Sequence, residues 1–363
     1  MARLWRASSS RSARRSRAAA KLRFCVAASL VIVSALHGNE AFNPTSKHNR
    51  DDTLRNFILL KEQLATHNIT LATNDIHPPA TADIVIHRDV HTAHLPTPAQ
   101  AHKHILEIYE SPAINHLNGN PTHRARFGRV YTWEDDKVDN TTTFSLHYGL
   151  SWPAQPFDVD KTLAAKQHLA CTISGFKRVN FAGELYSARE AVVRWYEHHA
   201  PDHFNLYGMG WDKFTFTGLL RPLNRVPYAR QLCAPTWPLW RGPVANKTAT
   251  MASHKFAYCF ENAEGHPGYI TEKPFDVLFA GCVPIYRGAP NIKDYIPATC
   301  LINAADFPSQ AALHRYISTM PEAEYRSYLE NIATYLKANR KGSFTAEHWA
   351  TTLTKATLDI LNP

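Results

Sequence analysis

Cysteine is scarce, with six in 363 residues. None of them pair at C-x-x-C spacing, so a structural zinc module has no framework. No apolar run approaches the ~20 residues that a spanning helix uses, and no internal repeat or low-complexity tract follows the N-terminal leader. Acidic residues are missing altogether before Glu40. The formal charge of +9 is therefore misleading, because eight of the nine charges come from Arg3, Arg6, Arg11, Arg14, Arg15, Arg17, Lys21 and Arg23. The remaining body is close to neutral and has no basic stripe with interleaved aromatics, which excludes nucleic acid as a partner.

After this basic leader (1–23), Phe24 to Leu36 is a run of 13 mostly apolar residues. Its length suits a signal-peptide core of roughly 7 to 15 residues, and Val33-Ser34-Ala35 would serve as a cleavage site. Alternatively, the positive flank would hold the N-terminus on the cytosolic side of a short signal anchor. An organellar transit peptide also fits. Residues 24–36 are thus expected to be an anchor or signal, and 37–52 a polar stem. Three sequons, at Asn68, Asn140 and Asn246, favour the secretory route. The five cysteines beyond the leader cannot all pair. Cys171, Cys259 and Cys282 fall in expected strands and read as buried thiols, leaving Cys233 with Cys300 as the one disulfide candidate.

The length admits two cores. Strands are expected at 83–87, 102–110, 129–133 and 143–148, after a helix at 51–67. A Trp- and Pro-bearing segment at 150–157 reads as a crossing. Beyond it come a strand at 169–174, a helix at 188–199 capped by Ser187, and a strand at 204–207. Strands alternating with helices argue for parallel α/β layers. The expected units are 53–155, 156–345 and a C-terminal helix at 346–363.

The densest signal lies between His254 and Pro284. An apolar β-rich run ends at Phe260, Gly265, Pro267 and Gly268 break it, and Thr271 can cap a helix whose first turn carries Glu272 and Lys273. Free N–H groups, the helix dipole and the lysine together make an anion site. Pro274 is tolerated in that first turn.

These residues resemble the donor-binding motif of the α1,3/α1,4-fucosyltransferases. The hallmark appears as Phe260-Glu261-Asn262, Tyr269-Ile270-Thr271-Glu272-Lys273 and Ala280-Gly281-Cys282-Val283-Pro284. The six-residue spacer between Asn262 and Tyr269 is similar to that of bacterial and algal-type members. The segments 171–196 and 204–212 resemble the start of their donor domain. Arg129 to Asn140 and Tyr109-Glu110-Ser111-Pro112 resemble acceptor-side landmarks. Coverage runs from Tyr109 to Phe307. Arg287 and Pro274 depart from the pattern, standing where relatives commonly place an aromatic and an apolar residue.

The resemblance implies a GT-B architecture, two Rossmann-like domains facing a cleft behind an N-terminal signal anchor. It implies inverting transfer of L-fucose from GDP-β-L-fucose to a glycan acceptor on glycoprotein or glycolipid. The α1,3 linkage to O3 of GlcNAc is favoured, with α1,4 and core α1,3 open. A single-pass type II Golgi membrane protein with a lumenal catalytic domain is implied, with secretion after signal cleavage as the alternative. Another nucleotide sugar and a non-catalytic glycan-binding relative remain as competing functions.

Residue by residue, Glu110 is expected to be the base, because Glu110-Ser111-Pro112 resembles the family's acceptor-side glutamate and because it ends a strand at the carboxyl edge where open α/β sheets place ligands. Arg189, by the family's arginine position, and Lys273 would hold the diphosphate. Glu272 would hold fucose or ribose hydroxyls, and Tyr269 and Asn262 would contact the donor. Glu261 is expected either to touch the ligand or to support a residue that does. Tyr207 and Gly208 would border the guanine. Glu134, Asp135 and Asp136 read as a solvated turn, and Arg194 as a surface charge. No cofactor or metal is expected: Arg189, Lys273 and the helix dipole can replace Mg²⁺ or Mn²⁺, and no D-x-D follows a strand in the second half.

Overall fold

A computed structural model describes residues 29–34, 38–214, 216 and 218–362. Short β-branched and aromatic runs bounded by turns form the strands. β1 (Ser29–Ser34), β2 (Ile69–Thr73), β3 (Ile84–Arg88), β4 (His104–Ile108), β5 (Arg129–Thr132) and β6 (Thr143–Ser145) pair in parallel in the order β2-β1-β3-β4-β5-β6. β7 (His168–Ile173), β8 (Phe204–Tyr207), β9 (His254–Phe260), β10 (Val283–Arg287) and β11 (Ile302–Asn303) form a second parallel sheet, ordered β11-β10-β9-β7-β8. Counted from its own first strand, each sheet runs second, first, third, fourth, fifth, and the first sheet adds a sixth strand at its far edge. This is the flavodoxin-like doubly wound order, in which ligands sit beyond the strand carboxyl ends where the order reverses. Parallel strands need covering crossovers. Five helices matter to the site: α1 (Arg55–Thr66), α2 (Tyr186–His199), α3 (Lys247–Ala252), α4 (Glu272–Phe279) and α5 (Ala346–Leu361).

Several boundaries differ from the sequence reading. The apolar run expected to anchor the chain instead supplies β1, with Val31, Ile32 and Val33 buried between β2 and β3. A short apolar run suits a signal core and a buried parallel strand equally; pairing on both sides decides in favour of the strand. Phe24 to Ala28 and Ala35 to Leu36 lie outside the described residues, as does Cys25. Among the described residues no helix is long and apolar enough to cross a membrane. The expected stem is also part of the fold: Ala41 and Phe42 enter the first core, and Asp51 and Asp52 reach the cleft.

The C-terminal helix does not stand alone. Through Trp349, Ala350 and Leu353, α5 packs with Phe57, Leu60 and Leu64 of α1 into the first core. Leu150 N–H donates to Phe344 O at 2.8 Å and Ala346 N–H to Leu150 O at 2.8 Å, so the chain crosses between layers twice at one place. β4 begins at His104, after a 3-10 turn at Pro98–Lys103, and ends at Ile108, leaving Tyr109 and Glu110 beyond the strand. α2 starts at Tyr186, and Ser187 does not cap it. The Glu184 carboxylate does, accepting from Tyr186 N–H at 2.7 Å and Ser187 N–H at 3.1 Å. Cys171, Cys259 and Cys282 are buried free thiols as expected; Cys233 is exposed, Cys300 is buried, and both are free, so the candidate disulfide is not formed.

The expected solvated turn is largely structural. Glu134 is buried and pairs with Arg124 at 2.6 Å. Asp135 crosses the domain boundary, accepting from Asn291 Nδ2 at 2.8 Å and Tyr295 OH at 2.6 Å. Only Asp136, beside Lys137, fits the reading. At the same boundary Gly268 holds φ 80°, and a Cβ there would lie 2.0 Å from Trp133 O, so only glycine lets the layers approach this closely. Asn68, Asn140 and Asn246 are all exposed, and Asn246 caps α3 by accepting from Ala249 N–H at 2.9 Å.

Candidate active site

The carboxyl ends of the two sheets face each other across two adjoining cavities of about 300 and 440 Å³. Glu110, Tyr109 and Arg88 from the first layer line the smaller. Ser174, Gly208 and Arg189 from the second layer line the larger. Lys247, Asn262, Glu272, Lys273 and Asp276 line both. Residues far apart in the chain thus meet where the α4 N-terminus points.

Local sequence explains that junction. Thr271 caps α4, its hydroxyl accepting from Lys273 N–H at 3.4 Å. Lys273 Nζ lies 3.0 Å from Glu261 Oε2 and 3.0 Å from Thr271 Oγ1. Burial works against the ammonium, but the carboxylates of Glu261 and Glu272 outweigh it and hold the lysine charged well above its usual range. Glu272 stays partly exposed, its Oε1 3.9 Å from Lys273 Nζ. Burial opposes its charge too, and Lys273 and Lys247 more than compensate, keeping its carboxyl below the usual range.

Glu110 sits at the opposite wall. Burial, then the neighbouring Asp89, push its carboxyl up, while Lys273 pulls it down. No hydrogen bond from a described residue occupies its carboxylate, which leaves it free to take a proton from a ligand.

Of four further expected donor contacts, Glu261 and Tyr207 lie off the two cavities, while Tyr269 and Arg189 border them with part of each side chain held elsewhere. Glu261 is 0% exposed, and its two oxygens are taken by Thr271 N–H at 2.8 Å, Thr271 Oγ1 at 2.8 Å and Lys273 Nζ. It orients the lysine and does not reach the cavities. Tyr269 is buried against Trp133, with ring centroids 4.6 Å apart, in a cluster belonging to the first layer. It also lines the smaller cavity. Tyr207 turns to the other face of β8, its ring 5.9 Å from that of His254. Gly208 is the one that borders the cavity. Arg189 Nη2 is committed to Phe260 O at 2.7 Å, Glu261 O at 2.6 Å and Asn262 Oδ1 at 3.1 Å, bracing the end of β9. Its buried Nε has no partner among the described residues, and no described residue accepts from Nη1. Arg194 is not a plain surface charge either: it lies 3.5 Å from the Trp237 ring centroid and pairs with Glu197.

Sequence reading missed three contributors. Arg88 forms a two-pronged pair with Glu107 at 2.9 and 3.1 Å and lies 4.2 Å from the Tyr109 ring centroid. Lys247 reaches Asp276 Oδ2 at 3.2 Å. Asp276 follows Glu272 by one helical turn on the same face. That spacing was the signal available for it; Arg88 and Lys247 gave none. The departure at Arg287 is explained by a pair with Glu264 at 2.7 and 2.9 Å.

Two doubly wound layers facing one cleft define a GT-B-like glycosyltransferase fold. A crystal structure of an alpha1,3-fucosyltransferase shares it with a TM-score of 0.53 at 16% identity, over 92% of this chain and 90% of that one. Residues 233–355 match the family described as glycosyltransferase family 10 (fucosyltransferase), C-terminal. An alpha-(1,3)-fucosyltransferase FucT of Helicobacter pylori is 43% identical over 65 residues, 18% of this chain and 13% of its own length. A GDP-fucose protein O-fucosyltransferase 3 of Gallus gallus is 41% identical over 83 residues, 22% of this chain. The match to these two relatives spans only 13% and 17% of their length.

Proposed function

We propose that this chain transfers L-fucose, with inversion, from GDP-β-L-fucose to a hydroxyl of a glycan, most simply O3 of GlcNAc. The observation that carries the reading is the meeting of Glu110, from one layer, with Glu272 and Lys273, from the other, around one cavity. The larger cavity, floored by Gly208 and Ser174, takes the nucleoside. The diphosphate lies at the α4 N-terminus beside Lys273, Lys247 and the spare N–H groups of Arg189. Glu110 takes the proton of the acceptor hydroxyl as its oxygen attacks the sugar C1 from the face opposite the phosphate. The C1–O bond breaks and GDP leaves with its charge held by Lys273 and the helix dipole. These cations supply the charge stabilisation, so activity persists in EDTA; loss of turnover that Mn²⁺ restores would contradict this.

The test is GDP release from GDP-fucose with and without N-acetyllactosamine, for the wild type and Glu110→Gln. Acceptor-dependent release by the wild type, lost in a variant that still binds GDP, is expected. The printed name of the Gallus relative adds a protein hydroxyl as a second acceptor arm. No release with an acceptor of either kind, despite GDP binding, would favour a non-catalytic relative. The lumenal location rests on the three exposed sequons, and a mobility shift on removing N-glycans checks it.

A further inference from the structure

Asp89 stands one residue past β3, buried, at φ 62°. Left-handed backbone is uncommon for a residue with a side chain and is tolerated best by Asn and Asp. Here it turns the carboxylate onto the next strand end. Asp89 Oδ1 accepts from Tyr109 N–H at 2.7 Å, Glu110 N–H at 3.0 Å and Asn118 Nδ2 at 2.7 Å. Asn118 is 0% exposed; its Nδ2 also donates to Glu110 O at 2.7 Å and its Oδ1 accepts from Val90 N–H at 2.9 Å. The N–H and C=O of Glu110 are thereby clamped from one side, leaving its side chain directed into the cleft.

We propose that Asp89 is a positioning residue for Glu110, holding the turn that aims the base and strengthening that base by standing beside it as a second negative charge. This rests on the reading of Glu110 as the base. A neutral amide would accept the same N–H groups, so hydrogen bonding alone does not require an acid here. The other charges facing Glu110 are Lys273 and Glu272 from α4 and Lys177 from the loop after β7, and burial with Asp89 outweighs the two lysines in raising its carboxyl.

Asp89→Asn keeps the backbone conformation and the acceptor and removes the charge. The acid limb of kcat/KM, which reports the free enzyme, should move down by about one unit, and turnover at pH 7.5 should fall about threefold as the base weakens. GDP affinity should not change. Asn118→Ser loosens the same turn and leaves the Asp89 carboxyl in place, so turnover should fall while the limb moves much less than in Asp89→Asn, a contrast that general loosening of the fold would not produce. Should Asp89→Asn fail to fold, Asn118→Ser decides alone, and turnover that stays at the wild-type level overturns the inference. A limb that stays fixed in Asp89→Asn, or moves equally in both variants, while Glu110→Gln is inactive, overturns this inference and spares the base. Full turnover in Glu110→Gln overturns both.

Discussion

Lys273→Met separates the two roles of the lysine. Its partner Glu261 has a fully buried side chain, whereas the Lys273 side chain is 23% exposed. Removing one partner of a buried pair typically costs about 3–5 kcal/mol, because the other charge stays behind unpaired. Water reaches this lysine, and Thr271 still donates twice to Glu261, so about 2–3 kcal/mol is the expected loss. Glu261, already raised by burial and opposed chiefly by Lys273, then rises further. A raised carboxyl removes stability as pH climbs through its folded value, so the Lys273→Met deficit should be largest above neutrality and shrink towards pH 4. In the double variant Lys273→Met/Glu261→Gln the pair leaves no unpaired buried charge, and most of the stability should return. Turnover should not, since the leaving diphosphate still lacks its cation. Urea unfolding at pH 4.5 and 8, with GDP release measured in parallel, checks each part. A Lys273→Met protein as stable as the wild type at pH 8, or a double variant that regains turnover, would refute the reasoning.

Asp276 has its carboxyl pushed up to about 6, by burial first and by Glu272, against the pull of Lys247. Asp276→Asn should therefore stabilise the protein by about 1 kcal/mol above pH 6 and leave it unchanged near pH 4, read from melting curves at the two values. Gly268→Ala would put its Cβ 2.0 Å from Trp133 O at φ 80°. A loss of several kcal/mol is expected, with the layers parted and GDP-fucose turnover lost; small-angle scattering and unfolding curves check it.

Local chemistry made the donor half readable. The cap at Thr271, the acid and lysine in the first turn, and the breakers at Gly265 and Gly268 act within a few residues, and α4 starts at Glu272 as that pattern requires. Lys273 was singled out in the same way, whereas Glu110, at a strand end, needed the resemblance of Glu110-Ser111-Pro112 to stand out; both line one cavity. Strand parity misled at Tyr207: in a strand buried on both faces, alternate side chains point opposite ways without any polar alternation to mark which way. Glu261 could be read as a ligand or as a support because a carboxylate after a strand looks the same in either role.

Taken alone, the sequence determined two parallel α/β layers and an anion-binding helix start in the second, since periodicity, capping and glycine conformations are properties of neighbouring residues. Only the tertiary structure decided that 29–34 is a strand inside the first sheet, that α5 returns to the first core, and that Asp89, Arg88 and Asp135 serve the cleft and its boundary. Each of those depends on partners tens to hundreds of residues away. Burial and pairing at such range are set by how the layers pack, which no local pattern encodes.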